Sequence, residues 1–504
     1  MQSIEPIVVT STILTPLFCI RSLMLLDMAG NQIQGELPGF ANFSKLVYLD
    51  MSSNSFHGIL TREVGSLQNL RVLDLEDNSL GGNIPKEIGN MTKLRQLYLR
   101  SNNFFGEIQS SLSYLKELEV LDLRDNSLSK KIPNFISNLS NITSSSFSNN
   151  EYTGSIPSSM QKLVRLETLQ LENNLLSGKI PSWLFNIKGM KHLFLGGNNL
   201  IWNSDAKIEP TCILSQLCMK SCGLAGEIPY WISKLKTLDF LDLSENKLEG
   251  IFPQWLAEMN VGNIFMSDNN LTGSLPPFLF NSKSLSILSL SRNNFFGELP
   301  NNIGNATEIL ILMLAENNFS GKVPHSISNI YRLQLLDLSS NRFFGNLPDF
   351  SSNVFLGYID ISSNEFSGEI PTKFYQEIEI LALGKNRFTG NFPRNLTNMS
   401  HLEHLDIHDN KISGELPEFI SQISTFQVLN LRNTTLQGSI SDVISNLSYL
   451  RILDLSSNHL VGNIPAKFGN LLGMIEKPNK SFSSLSNIFT ISLKYNDLIV
   501  NWKK

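Results

Sequence analysis

His404, Asp406 and His408 are the residues of this 504-residue chain whose types and spacing best suit chemistry. Residues two apart on an extended strand share a face, so two imidazoles and a carboxylate would stand together there. Such a set can hold a divalent cation or change charge near neutral pH. A plainer reading competes with it. Asp recurs at the place of Asp406, four residues before a repeated Asn, at 27, 50, 74, 122, 242, 337, 360 and 454. Asp406 therefore belongs to a repeating unit, no metal or cofactor is assigned, and His404 and His408 are read as solvated or partner-facing. Cys19, Cys212, Cys218 and Cys222 form no metal-type pairs, and their spacing suits free or buried thiols as well as a bridge. No phosphate loop, kinase signature, GxSxG or HExxH occurs, so the chain is not read as an enzyme.

The elements that would carry these residues follow from a repeat of 24 residues, LxxLxxLxLxxNxLxGxIP, as in Leu67, Leu70, Leu73, Leu75, Asn78, Leu80, Gly82, Ile84 and Pro85. It accounts for much of an unusual 54 Asn. The ladder places include Asn78, Asn102, Asn126, Asn246, Asn293, Asn341 and Asn458, with Cys222 and Thr434 as the two exceptions and Asn496 as the last copy. Apolar residues five and three places before each Asn alternate with polar ones, which predicts one short strand per coil. The Asn amide is placed to pair backbone groups that a turn between coils would otherwise leave buried and unpaired. Gly four residues later permits a positive φ, and the following Pro fixes an extended return. Because no coil can bury its Leu set alone, coils must stack. The expected fold is an α/β-type solenoid, a curved right-handed superhelix of about twenty coils of roughly 24 residues with a parallel concave sheet.

Composition agrees. The apolar fraction is 41%, charged residues are only 17%, and 40 Lys+Arg against 45 Asp+Glu give a net charge of −5. That balance argues against tracking a nucleic-acid backbone. The longest apolar stretch, residues 7–20, is too short and too polar for a membrane span and lacks the basic start of a secretion signal.

Gly226-Glu227-Ile228-Pro229, Leu453 to Asn458 and Gly462-Asn463-Ile464-Pro465 resemble the plant-specific class of leucine-rich repeat, which forms the ectodomains of plant receptor-like kinases and receptor-like proteins. Residues 210–224 and Asn496 to Lys504 narrow the resemblance to receptor-like proteins, the latter resembling the start of a non-repeat island. The resemblance implies a ligand-sensing ectodomain for a peptide or protein ligand in defence or development, at the outer side of the plasma membrane, with signalling passed to receptor kinases. It also implies further segments on both sides, so a truncated ectodomain is expected. The expected organisation is a degenerate first repeat or weak signal segment at 1–30, the array at 31–465, and an irregular segment opening the island with a partial repeat at 466–504. A soluble decoy, an inhibitor of a microbial cell-wall hydrolase, and a non-functional relic are the alternatives.

Departures from the repeat mark the expected ligand surface. Phe240, Ile287, Ile311, Leu335, Tyr358 and Ile380 occupy the sixth place before the Asn, and Phe265 and Met313 replace the usual Asp at the fourth. On a concave face these would form an exposed apolar ridge, continued by His404 and His408. Sequons at Asn90, Asn138, Asn305, Asn398 and Asn446 each fall twelve residues after a ladder place, on the return side, and are the glycosylation candidates.

Overall fold

The computed structural model describes residues 9–14, 16–17, 20–202 and 207–475. Cys19 and residues 476–504, which hold Asn496 and most of the expected irregular segment and island start at 466–504, lie outside them. Two compact units divide the chain, Met1–Arg342 and Phe343–Lys504.

In the first unit the central Leu of each short strand faces inward and its neighbours outward, as period-two patterning requires. Leu73, between Val72 and Asp74, is fully buried. Strands from Leu25–Asp27 to Leu335–Asp337 pair in parallel, with these residues in line: Leu26↔Leu49, Leu49↔Leu73, Leu73↔Leu97 and Leu97↔Leu121. The second unit repeats the arrangement from Tyr358–Asp360 to Ile452–Asp454, aligning Ile359, Leu381, Leu405, Leu429 and Leu453.

Each ladder Asn of the described residues lies just beyond its strand and bonds chiefly main-chain atoms. Asn102 Oδ1 accepts the Leu80 N–H at 2.9 Å, while Nδ2 donates to the carbonyls of Leu75, Leu99 and Arg100 at 2.8, 3.3 and 3.1 Å. Asn78, Asn126, Asn246, Asn293, Asn341 and Asn458 repeat this four-bond pattern in part or in full. At the two exceptions the chemistry thins. Cys222 offers one weak Sγ contact to the Leu195 carbonyl at 3.5 Å, and the single hydroxyl proton of Thr434 is shared between Leu431 O at 3.0 Å and Asn458 Oδ1 at 2.7 Å.

Two features differ from the expectation of one strand and an extended return. Each coil contributes a second short strand after the ladder Asn: Ser55–Ile59 pairs in parallel with both Gln34–Glu36 and Ser79–Gly82. This second ladder gives partners to backbone groups on the flank of the coil. Return segments fold as 3-10 turns such as Lys86–Asn90 after Pro85. Among the described residues, only Gln254–Ala257 and Leu472–Ile475 form α turns. Five residues are too few to sustain an α-helix, and the 3-10 turn advances further per residue. These turns pack closely, since a Cβ on Gly304 would run into the Ser326 carbonyl oxygen. Residues 466–470, expected to be irregular, form the same 3-10 turn after Pro465.

Candidate functional site

The strand face is built from the outward places of the short strands: the sixth, fourth and second residues before each ladder position. In the first unit the chain places an aromatic group there. The Phe240 ring lies 5.4 Å from Phe265 and 6.3 Å from Phe194. Phe194 and Phe240 are half-buried. Phe194 was not singled out from the sequence, although an aromatic residue where the repeat favours Asp is the signal that pointed to Phe265.

The remaining ridge differs from expectation. Ile287, Ile311, Met313 and Leu335 do lie side by side, in the register Ile287↔Ile311↔Leu335, but only 2–7% of their surface is exposed. Phe265 is likewise 8% exposed. Strands ~4.8 Å apart bring aliphatic side chains at equivalent places into contact, so each covers its neighbours. The ridge is a closed apolar floor, and Met313 and Phe265 are among its buried members.

In the second unit Tyr358 is 5% exposed and its hydroxyl bonds Asp360, whereas Ile380, His404 and His408 are half-buried. His408 Nδ1 lies 2.6 Å from Asp406 Oδ1, and its ring occupies the space that a Cβ on Gly384 would need. Asp406 Oδ2 accepts the Asn430 amide at 3.1 Å. The hydrogen bond with Asp406 raises the His408 pKa despite burial. Burial pushes Asp406 up, but the hydrogen bond and charge of His408 outweigh it and leave the carboxyl below its ordinary value. Burial lowers the His404 pKa. No group of three or more metal-ligating side chains is assembled among the described residues.

The Asp column has a structural task. Asp50, Asp74, Asp242, Asp337, Asp360 and Asp454 each accept the N–H two residues on, at 2.8–3.0 Å. Asp406 does the same for His408 N. In every described coil the residue just before the ladder position is held at positive φ, such as Asp77 at 51°, after the Asp74 turn, and Arg292 at 54°, where Ser289 stands in place of the Asp. The sequence carried a signal for that conformation in the frequency of Asp, Asn and Ser just before the ladder Asn, residues that tolerate it or bond locally. Early coils pair their charges: Arg100 with Glu76 at 2.8 Å and Arg124 with Asp122 at 2.6 Å.

Cys212, Cys218 and Cys222 are free. Burial, with Asp242 and Glu172 nearby, pushes the Cys222 thiol up to about 12. Asn90, Asn138, Asn305, Asn398 and Asn446 are exposed, all at or near the ends of 3-10 turns. No helix of the described residues is long and apolar enough to cross a membrane.

The leucine-rich repeat region family matches residues 2–260, and single leucine-rich repeats match 284–306, 332–354, 401–423 and 449–471. Among solved structures, the Arabidopsis receptor kinase HAESA, in complex with the peptide hormone IDA and the co-receptor SERK1, is 33% identical. The match covers 89% of this chain and 76% of that one, with a TM-score of 0.72. PEPR1 with AtPEP1 is 28% identical over 91% of this chain and 75% of its own, with a TM-score of 0.71. The plant peptide hormone receptor RGFR1 with RGF2 is 27% identical over 90% and 81%, with a TM-score of 0.68. No curated protein matches the chain.

Proposed function

Because this chain belongs to the leucine-rich-repeat proteins of the plant receptor type, we propose that it is a non-enzymatic ectodomain that binds a peptide or protein ligand on its strand face. The proposal places it at the outer side of the plasma membrane, in defence or developmental signalling, with receptor kinases as partners and glycans on the five exposed sequons. The observation that carries it is the aromatic group in the first unit, where the half-buried rings of Phe194 and Phe240 stand beside the buried Phe265 and the apolar floor that follows it. A rigid array of paired strands lowers the ordering cost of binding an extended ligand. In the second unit Ile380, His404 and His408 offer the corresponding half-buried contacts.

A display library of short peptides, selected against the chain, tests this reading. Phe240→Asp is expected to weaken a selected peptide by about 30-fold, the size of a central contact residue, with unchanged melting temperature. Selected peptides that bind Phe240→Asp and Ile380→Asp variants as well as the parent chain would defeat it.

A further inference from the structure

The first unit carries a second surface, away from its strand face. Three consecutive coils place two exposed cations each on their flank and return segments: Lys130 and Lys131, Lys162 and Arg165, Lys179 and Lys188. Between residues 126 and 191 the acids are Glu151, Glu167 and Glu172 alone, and Glu167 is engaged by Lys191 at 2.7 Å. Among the described residues, none of the six cations lies within ion-pairing distance of a carboxylate, whereas Arg100, Arg124, Lys191 and Lys220 all do. In a chain of net charge −5 this is a local excess of one sign. Lys130 and Lys131, adjacent in sequence, repel each other, while cations further apart than the ~8 Å Debye length at physiological salt are screened and add up to a field of one sign.

The arrangement is a row rather than a pocket. Lys131 and Lys179 end the strands Ser127–Lys131 and Leu175–Lys179, which flank Glu151–Gly154 and pair with it; Lys131 is in register with Thr153 and Leu175, so Lys179 lies two strand spacings across and four residues further along, roughly 16 Å away. Toward the preceding coils the row runs into an open cavity of about 470 Å³ lined by Asn83, Lys86, Glu107, Gln109 and Lys130. That cavity lies where Lys130 and Gln109 replace the Gly and Pro of the repeat. Exposed Ser155, Ser158 and Ser182 and the half-buried Trp183 lie between the cations along the chain.

We propose that this band docks an extended acidic polysaccharide, a chain of linked uronate sugars. Charge complementarity sets the sign of the partner. A linear polymer with one carboxylate per ring can span cations set at different places on three successive coils, while serine hydroxyls and an indole face suit sugar hydroxyls and ring faces. This surface is independent of the strand-face ligand.

The test is the affinity of the full chain, its glycans trimmed by an endoglycosidase, for polygalacturonate oligomers by calorimetry. Binding is expected to weaken at least tenfold between about 50 mM and about 500 mM salt. It should weaken at least about tenfold in the Lys130→Gln, Lys131→Gln, Lys179→Gln variant at unchanged melting temperature, and be absent for the methyl-esterified polymer. Equal affinity for the esterified polymer or for polyglutamate, or an unchanged affinity in the folded triple variant, would overturn the proposal. Should that variant not fold, the polymer comparison on the unsubstituted chain decides.

Discussion

At the level of single side chains, the fold depends on groups whose partners are nearly all backbone. Truncating Asn102 leaves the Leu80 N–H and the carbonyls of Leu75, Leu99 and Arg100 without their amide partner in a site 8% exposed. A buried group left unpaired costs roughly 1–3 kcal/mol, so Asn102→Ala is expected to lower unfolding free energy by ~3 kcal/mol or more in denaturant titration. Asp74 offers a pH signature. Burial, together with Glu76 and Asp50, pushes its pKa up to about 7 even though the Glu76 N–H opposes this. An unfolded Asp titrates near 3.9, so between about 4 and 7 the folded chain holds more protons than the unfolded one. Its stability therefore falls as pH rises through that window. Asp74→Asn should flatten this dependence and make the chain more stable than its parent at pH ~8, measured as the shift in melting temperature. Asn430 shows that an amide can fill the place, accepting from Arg432 N at 3.3 Å. The ladder Asn and the repeat identity of Asp406 were legible in the sequence because spacing alone exposes them. The burial of Met313 and Phe265 was not, because it depends on what the adjacent coils place beside them.

Among the elements, the short strand with its inward Leu was readable from period two. The second strand of each coil was not, since its outward residues vary and its backbone pairing leaves little mark on side-chain pattern. Its one conformational demand is the Gly four places after the ladder Asn, with Gly82 at φ 79°. Lys130 stands at that place with φ 72°. A left-handed conformation costs a non-glycine residue roughly 1–2 kcal/mol. Lys130→Gly is accordingly expected to raise stability by ~1 kcal/mol, less the entropy glycine adds to the unfolded chain. An unchanged or lowered denaturation midpoint would show that the Ser127–Lys131 strand is not strained there. The 3-10 returns were not legible, because the Pro of the repeat predicts only an extended segment, and the approach of Gly304 to the Ser326 carbonyl likewise required the packed coils to be seen.

For the molecule as a whole, each coil contacts chiefly its sequence neighbours, and stability is then close to a sum of local terms. Asn102→Ala should therefore speed amide exchange in the coils holding Asn78, Asn102 and Asn126, while amides of the second unit, such as Leu405, keep their protection. Uniform loss of protection across the chain would contradict local coupling. Fold class was legible because twenty in-phase copies state it repeatedly. Ligand identity was not, because the outward places are free of the fold's demands.

The step between Asn364 and Asn386 is 22 residues instead of 24, yet Phe366 N still reaches Asn386 Oδ1 at 3.0 Å and Asn386 Nδ2 still reaches the Ile361 carbonyl at 2.9 Å. The amide clamp tolerates a shortened loop because it fixes only where one strand ends relative to the one before. Whole turns of chain can thus be duplicated, dropped or trimmed in descent, and the hardware of the fold closes over the seam.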